Sequence, residues 1–372
     1  MIKTLFVFGT RPEAIKLCPV ILHLNSRPED FQVSVCVTAQ HRSMLDQVLR
    51  VFGVKPDYDL DLMLPGQTLS QSTSRIVAAL EPVFGDARPD LAIVQGDTTT
   101  TFCGALAAFY QHVPVGHVEA GLRTHDLRQP FPEELNRVMT GRIADLHFAA
   151  TKGAAANLAA EGVEPGRVFV TGNSGIDAVL RIRDRLASGE LAGDENGWRD
   201  AGKRLILVTA HRRESFGGGI ESICRGLLRL ADRGDAQIVY PVHRNPNVTG
   251  PVHQMLGEHP NIVLIEPLDY VPFVALMREA YILITDSGGV QEEGPSLGKP
   301  ILVTREKTER PEAVEAGTVL LVGPDEERIY AAAAGLLENE ESYRRMSAVH
   351  NPYGDGHASE RIAQVIHSFF TR

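Results

Sequence analysis

Short apolar, β-branched runs alternate along the chain with longer segments whose apolar residues fall three and four apart. The runs at 5–8, 33–38, 91–94, 113–117, 146–149 and 168–171 predict one series of strands. A second series is predicted at 205–209, 237–241, 262–265, 281–285, 301–303 and 319–321. Between them, stretches such as 14–24, 44–52, 70–84 and 100–110 carry the spacing of amphipathic helices. Strand–helix alternation of this kind predicts parallel sheets covered on both faces.

The alternation pauses between residues 172 and 204. Gly172-Asn173-Ser174-Gly175 is rich in turn residues, and a helical segment at 176–186 precedes a polar, glycine-containing stretch at 188–203. A domain boundary at Gly172 follows, with residues 1–171 in one half and 172–354 in the other. About six strands in each half suit two doubly wound, Rossmann-like sheets better than one large sheet.

Chemically loaded clusters fall just after these strands. Gly9-Thr10-Arg11, Gly96-Asp97 and Glu119-Ala120-Gly121 do so in the first half; His211-Arg212-Arg213, His243-Arg244 and Asp286-Ser287-Gly288-Gly289 do so in the second. Open α/β sheets bind ligands outside the carboxyl ends of their strands. Two such edges facing each other predict a single interdomain cleft.

The basic second-half edge suits an anionic ligand. In Thr285-Asp286-Ser287-Gly288-Gly289 an apolar strand enters a Ser-Gly-Gly turn and a helix, where backbone N–H groups attract phosphate. Glu293, more than one turn into that helix, is placed to accept ribose hydroxyls. A plain strand-to-helix turn is the competing reading. Arg11 and Lys16 put two cations at a helix start, against the local dipole, which an anionic ligand explains better than stability does. His211 with Arg212 and Arg213 offers an imidazole and two guanidinium forks for a departing diphosphate, and His243 and Arg310 extend the basic lining. The first-half edge bears carboxylates. Asp97 and Glu133 each admit a helix-capping or dipole role as readily as catalysis. Glu119, an acid at a strand end beside glycine, is harder to explain structurally. Together the three point to acid–base work on a bound sugar.

Composition trims the alternatives. A net charge of −10 argues against a nucleic-acid or anionic-membrane partner. Cys18, Cys36, Cys103 and Cys224 form no metal-like or paired spacing, and Cys18 and Cys36, in apolar surroundings, read as buried thiols. No GxGxxG fingerprint, P-loop, HExxH or Gly-x-Ser-x-Gly elbow occurs in the sequence, so neither a nicotinamide cofactor nor a metal is expected. The opening strand-like run lacks a signal-peptide layout and no apolar run reaches membrane-spanning length, so a cytoplasmic location is expected.

Side by side, GTRPEAIK (from Gly9), TAQHR (from Thr38), GDTTTT (from Gly96), GHVEAGLRT (from Gly116), FPEELNR (from Phe131), AHRRESFG (from Ala210), TDSGG-QEE (from Thr285) and TERPEA (from Thr308) resemble the non-hydrolysing UDP-N-acetylglucosamine 2-epimerases nearly end to end. The resemblance implies a GT-B-like fold of two Rossmann-like domains, with a final helix within 355–372 returning to the N-terminal domain, and a homodimer. It implies reversible conversion of UDP-N-acetylglucosamine to UDP-N-acetylmannosamine: UDP is eliminated to leave 2-acetamidoglucal, then re-added with carbon 2 inverted. The product is expected to serve cell-surface polysaccharide synthesis.

Carried over residue by residue, Asp97, Glu119 and Glu133 become the acid–base group, with His211 aiding UDP departure. Arg11, His211, Ser287, Gly288 and Gly289 become diphosphate contacts; Glu293 holds ribose, the segment around Leu268 and Phe273 holds uracil, and Lys16 and Arg310 are further substrate-side cations. Gln40, Glu133, Arg212 and His243 match part of a second, allosteric UDP-sugar site of some members, from whose pattern Ser43 and Gly66 depart. The rival readings are a hydrolysing epimerase of the same fold, a GT-B glycosyltransferase and a UDP-sugar-sensing binding protein. Turnover of UDP-sugar without any acceptor separates an epimerase from the glycosyltransferase, and the three acids facing the basic strand tips disfavour the binding protein.

Overall fold

A parallel sheet with helices on both faces is built twice along this chain. The computed structural model describes every residue except 40, 41, 65, 194–199, 201, 349 and 372, together with the side chain of Ser43. The chain divides into two compact units: Met1–Ala178 with Gly354–Arg372, and Val179–Tyr353.

The first unit runs β1 (Ile2–Phe8), α1 (Arg11–Asn25), β2 (Phe31–Val37), α2 (Arg42–Phe52), β3 (Tyr58–Asp59), α3 (Leu69–Ala87), β4 (Leu91–Gln95), α4 (Thr99–Tyr110), β5 (Val115–Ala120), α5 (Glu133–Ile143), β6 (Leu146–Ala149), α6 (Lys152–Ala160), β7 (Val168–Val170) and the start of α7 (Ser174–Ala187). Its sheet has the order β3-β2-β1-β4-β5-β6-β7, with every pairing parallel. Leu5 to Phe8 are wholly buried, as a central strand covered on both faces requires. Small residues let α4 lie close to the sheet: a Cβ on Gly104 would meet Val94 at 3.0 Å.

The second unit runs β8 (Arg204–Thr209), α8 (Gly218–Asp232), β9 (Ala236–Pro241), α9 (Pro246–Leu256), β10 (Ile262–Ile265), α10 (Tyr270–Glu279), β11 (Ile282–Thr285), α11 (Gly288–Glu293), β12 (Ile301–Val303), α12 (Pro311–Glu315), β13 (Val319–Leu321), α13 (Glu326–Glu338) and α14 (Glu340–Ser347). Its order, β10-β9-β8-β11-β12-β13, is the doubly wound Rossmann arrangement. Ile223, Leu227 and Leu230 of α8 pack with Ile206, Ile238 and Ile329 in its core.

All twelve runs read as strands are strands, with ends that agree to within three residues. The thirteenth, β3, is two residues long and alternates too little to show in the sequence. The division between units falls inside α7, six residues beyond the Gly172 turn. The first turn of α7 stays with the first unit because the Asp177 carboxylate accepts N–H bonds from Ala358 (3.2 Å) and Ser359 (2.8 Å). Those residues begin the last helix, α15 (Ala358–Phe370), which packs on α1. Among the described residues no helix is long and apolar enough to cross a membrane.

Candidate functional site

In the first unit the strand order reverses between β1 and β4, the switch point where such sheets bind ligands. The loops after β1, β4 and β5 are locked together there. Glu13, 1% exposed on α1, accepts the N–H groups of Gly9 (3.1 Å) and Thr10 (2.7 Å) on one oxygen. Its other oxygen accepts the hydroxyls of Thr98 (2.8 Å) and Thr101 (3.3 Å). Burial raises the Glu13 pKa, opposed by these hydrogen bonds. The carboxylate thus ties the loop bearing Arg11 to the loop bearing Asp97. Thr98, not Asp97, caps α4, its hydroxyl accepting the Thr101 N–H at 3.1 Å.

Asp97 is instead held by Arg137 of α5, with Nε and a terminal nitrogen 2.9 and 2.7 Å from one carboxylate oxygen. The same guanidinium bonds Glu134 at 2.9 Å. Glu134 is buried and also accepts the N–H groups of Thr124 and His125, so it shapes the loop after β5. Its neighbour Glu133 is half-buried at the first position of α5.

Glu119 has a left-handed backbone, φ 64°, at the end of β5, an unusual conformation for a non-glycine residue. Its carboxylate is ion-paired with Lys16 and accepts the Gln95 side-chain N–H. A Cβ on Gly96 would lie 3.5 Å from the Glu119 carboxylate, which places Glu119 beside the Asp97 loop. Lys16, read from sequence as a ligand-facing cation, therefore has a protein anion at its tip. Arg11 is half-buried at the start of α1. Beneath them His117 is buried, with Nε2 2.8 Å from the Gly96 carbonyl, and burial lowers its pKa to about 3.

In the second unit the order reverses between β8 and β11. Asp286, fully buried at the end of β11, accepts the N–H groups of His211 (2.6 Å) and Arg212 (2.7 Å) at the end of β8. The His211 ring stacks on His243 at 5.1 Å. Burial lowers the His211 pKa, with Asp286 opposing and His243 and Arg212 adding to the shift. Ser287, Gly288 and Gly289 form the turn into α11, a helix of only six residues. Arg310 lies directly over that turn: a Cβ on Gly288 would fall 2.5 Å from its guanidinium carbon. Glu292 orients Arg310 from 2.7 Å. Glycine at 288 is what lets this guanidinium reach the Ser-Gly-Gly backbone.

Glu293, Leu268 and Phe273 are half-buried, on α11, on the loop before α10 and on α10. Arg212 and His243 are exposed. Gln40 and the side chain of Ser43 lie outside the described residues. All four cysteines are buried thiols, and the described residues contain no cluster of His, Cys, Asp and Glu suited to a metal.

Sequence reasoning named Glu119, Asp97 and His211 but passed over the residues that hold them: Gln95, Arg137 and Asp286. It also passed over Glu13, although Thr10-x-x-Glu13 before an apolar run is a readable helix-start signature.

With this geometry in hand, the chain's relatives can be placed beside it. A family model described as UDP-N-acetylglucosamine 2-epimerase matches residues 23–367. The UDP-N-acetylglucosamine 2-epimerase of Salmonella typhimurium is 55% identical over 373 residues, 99% of each chain. A crystal structure of UDP-GlcNAc 2-epimerase from Neisseria meningitidis, bound to UDP-GlcNAc, superposes with a TM-score of 0.91 at 47% identity, covering 98% of this chain and 100% of that one. The UDP-GlcNAc 2-epimerase of Methanocaldococcus jannaschii, in complex with UDP-GlcNAc and UDP, gives a TM-score of 0.80 at 33% identity, covering 98% and 99%. The fold class is that of these relatives, GT-B-like with two Rossmann-like domains.

Proposed function

The chain belongs to the UDP-N-acetylglucosamine 2-epimerase family, and from that premise we propose that it interconverts UDP-N-acetylglucosamine and UDP-N-acetylmannosamine without hydrolysis. A base removes the proton on carbon 2, the electron pair forms the C1=C2 bond, and the C1–O bond breaks toward the β-phosphate of UDP. The 2-acetamidoglucal is then protonated at carbon 2 on its other face while UDP re-adds at carbon 1.

The first unit supplies the acid–base chemistry through Asp97, Glu119 and Glu133. Glu119 carries the reading. Its left-handed backbone costs on the order of 1–2 kcal/mol, and Lys16 and Gln95 fix the carboxylate so held. A carboxylate held at such cost beside the Asp97 loop is suited to act on a weakly acidic C–H bond, where positioning lowers the barrier most.

The second unit holds the nucleotide: Ser287, Gly288 and Gly289, with Arg310 above them, take the diphosphate, and His211 assists its departure. Arg11 adds a cation to the same phosphates, Glu293 accepts the ribose hydroxyls, and Leu268 and Phe273 flank the uracil. The Lys16–Glu119 pair narrows the part of Lys16, which sets the carboxylate rather than serving as a lone phosphate cation.

The test is to incubate the protein with UDP-N-acetylglucosamine and no acceptor, then separate the products. UDP-N-acetylmannosamine at equilibrium with substrate supports the proposal. Free N-acetylmannosamine with UDP as the sole products identifies a hydrolysing enzyme instead.

A further inference from the structure

His211, proposed to aid UDP departure, sits in specific surroundings. Asp286 is fully buried, and its Oδ2 is spent on the N–H groups of His211 and Arg212. Its Oδ1 has no hydrogen-bond partner among the described residues and lies 3.4 Å from His211 Nδ1. A buried carboxylate oxygen left without a donor is costly, so its nearest available donor deserves a role. That donor is the His211 ring, when Nδ1 carries the proton.

Among the described residues of this unit, three titratable or charged groups meet the ring: Asp286 from the end of β11, His243 from the loop after β9, and Arg212 from its own loop. His243 accepts the Asn245 N–H on its own Nδ1 at 3.1 Å, which leaves that nitrogen without a proton. Only Asp286 is an anion.

The geometry points to Asp286 as the positioning residue for His211: it holds the imidazole in the Nδ1–H tautomer and stabilises the imidazolium whose Nε2 proton passes to the leaving diphosphate. As the C1–O bond breaks, its electron pair goes to the β-phosphate oxygen and that oxygen takes the Nε2 proton. His211 is left neutral, its Nδ1–H directed at Asp286. Re-addition of UDP returns the proton to Nε2. The free ring rests neutral because burial disfavours its charge, and an arriving diphosphate reverses that preference. This proposal rests on the epimerase reading and extends it to a residue that need not touch substrate.

A purely structural role for Asp286, tying the end of β8 to β11, predicts something different, and Asp286→Asn separates the two. The amide keeps an oxygen for the two backbone N–H groups but turns an NH2 toward Nδ1, which forces the proton to Nε2. Histidine 15N NMR of the full chain reads the tautomer directly, without turnover. We expect Nδ1–H in the wild type, Nε2–H in Asp286→Asn, retained UDP binding, and a kcat lower by about 100-fold or more.

In a His211→Gln background, Asp286→Asn should cost nothing further in kcat, because the residue acts through the ring. An unchanged tautomer overturns the proposal, as does an equal loss of kcat with and without His211. Should Asp286→Asn not fold, Asp286→Ser removes the carboxylate without forcing either tautomer; a lost Nδ1–H preference with lowered kcat supports the proposal, and an undiminished Nδ1–H preference overturns it. A wild type that binds UDP without epimerising UDP-N-acetylglucosamine contradicts the activity reading, whereas the tautomer comparison still decides the role of Asp286.

Discussion

The ammonium group of Lys16 is ion-paired with the carboxylate of Glu119, joining α1 to the end of β5 across 103 residues of sequence. Both side chains are more than four-fifths buried, so the pair is weakly screened by solvent. Under the proposed function its charge balance bears on catalysis. Glu119→Gln should retain UDP affinity while lowering kcat by a factor of about 100 or more, the scale of a lost acid–base group. Lys16→Met should shift the same parameter, kcat, rather than UDP affinity. Steady-state kinetics with calorimetric titration of UDP check both; a loss of UDP binding with normal turnover would show that the pair serves the nucleotide.

Gly121, two residues beyond Glu119, has φ 90°, and a Cβ there would sit 2.2 Å from the Ala154 carbonyl oxygen. Gly121→Ala should destabilise the chain by about 3 kcal/mol or more, since strain and a backbone clash add. Gly162, with φ 84° and open space around it, is the control: Gly162→Ala should cost only about 1–2 kcal/mol. Urea unfolding of the two variants measures the difference.

Acid should weaken the first unit through its buried histidines. Burial lowers the pKa of His117 to about 3 and of His147 to about 4. Unfolded, each returns to about 6.5, so below that pH the unfolded chain binds protons that the native chain does not. The stability these neutral rings allow is complete above about pH 6.5 and is lost as pH falls toward the native values. His117→Gln isolates one ring from its neighbour and from Glu13, whose raised pKa acts with the opposite sign. As pH falls from about 6.5 to 5, wild type should lose stability relative to that variant with a slope that steepens toward about 1.4 kcal/mol per pH unit. A pH-independent gap contradicts this.

Glu13 should prove to be a loop organiser. Glu13→Ala strands the N–H groups of Gly9 and Thr10 and the hydroxyl of Thr98, at a cost of about 3 kcal/mol or more. Glu13→Gln keeps an acceptor for the N–H groups and can donate its amide to the threonine hydroxyls. It should cost less than half as much, as thermal unfolding of the pair will show.

The strands were legible because a sheet covered on both faces demands nearly continuous apolar runs, as Leu5–Phe8 illustrates; β3 escaped because two residues carry no period. The position of Glu119 was legible too, since an acid between a buried strand and Gly121 has no ordinary packing role. Its conformation and its pairing with Lys16 were not, because both depend on a contact between distant segments. Asp286 was hidden for a different reason. At the end of an apolar strand, a buried acid that bonds a neighbouring strand's backbone reads the same as one facing water. Glu134 was eclipsed by Glu133, because adjacent identical residues differ only in which way the helix turns them.

The central claim is that the carbon-2 proton is removed and replaced. Incubating the protein with UDP-N-acetylglucosamine in deuterated water and following the sugar by proton NMR tests it most directly. The account predicts UDP-N-acetylmannosamine carrying deuterium at carbon 2, with deuterium entering the recovered UDP-N-acetylglucosamine as the reaction reverses. UDP-N-acetylmannosamine that keeps its original hydrogen at carbon 2 would contradict it.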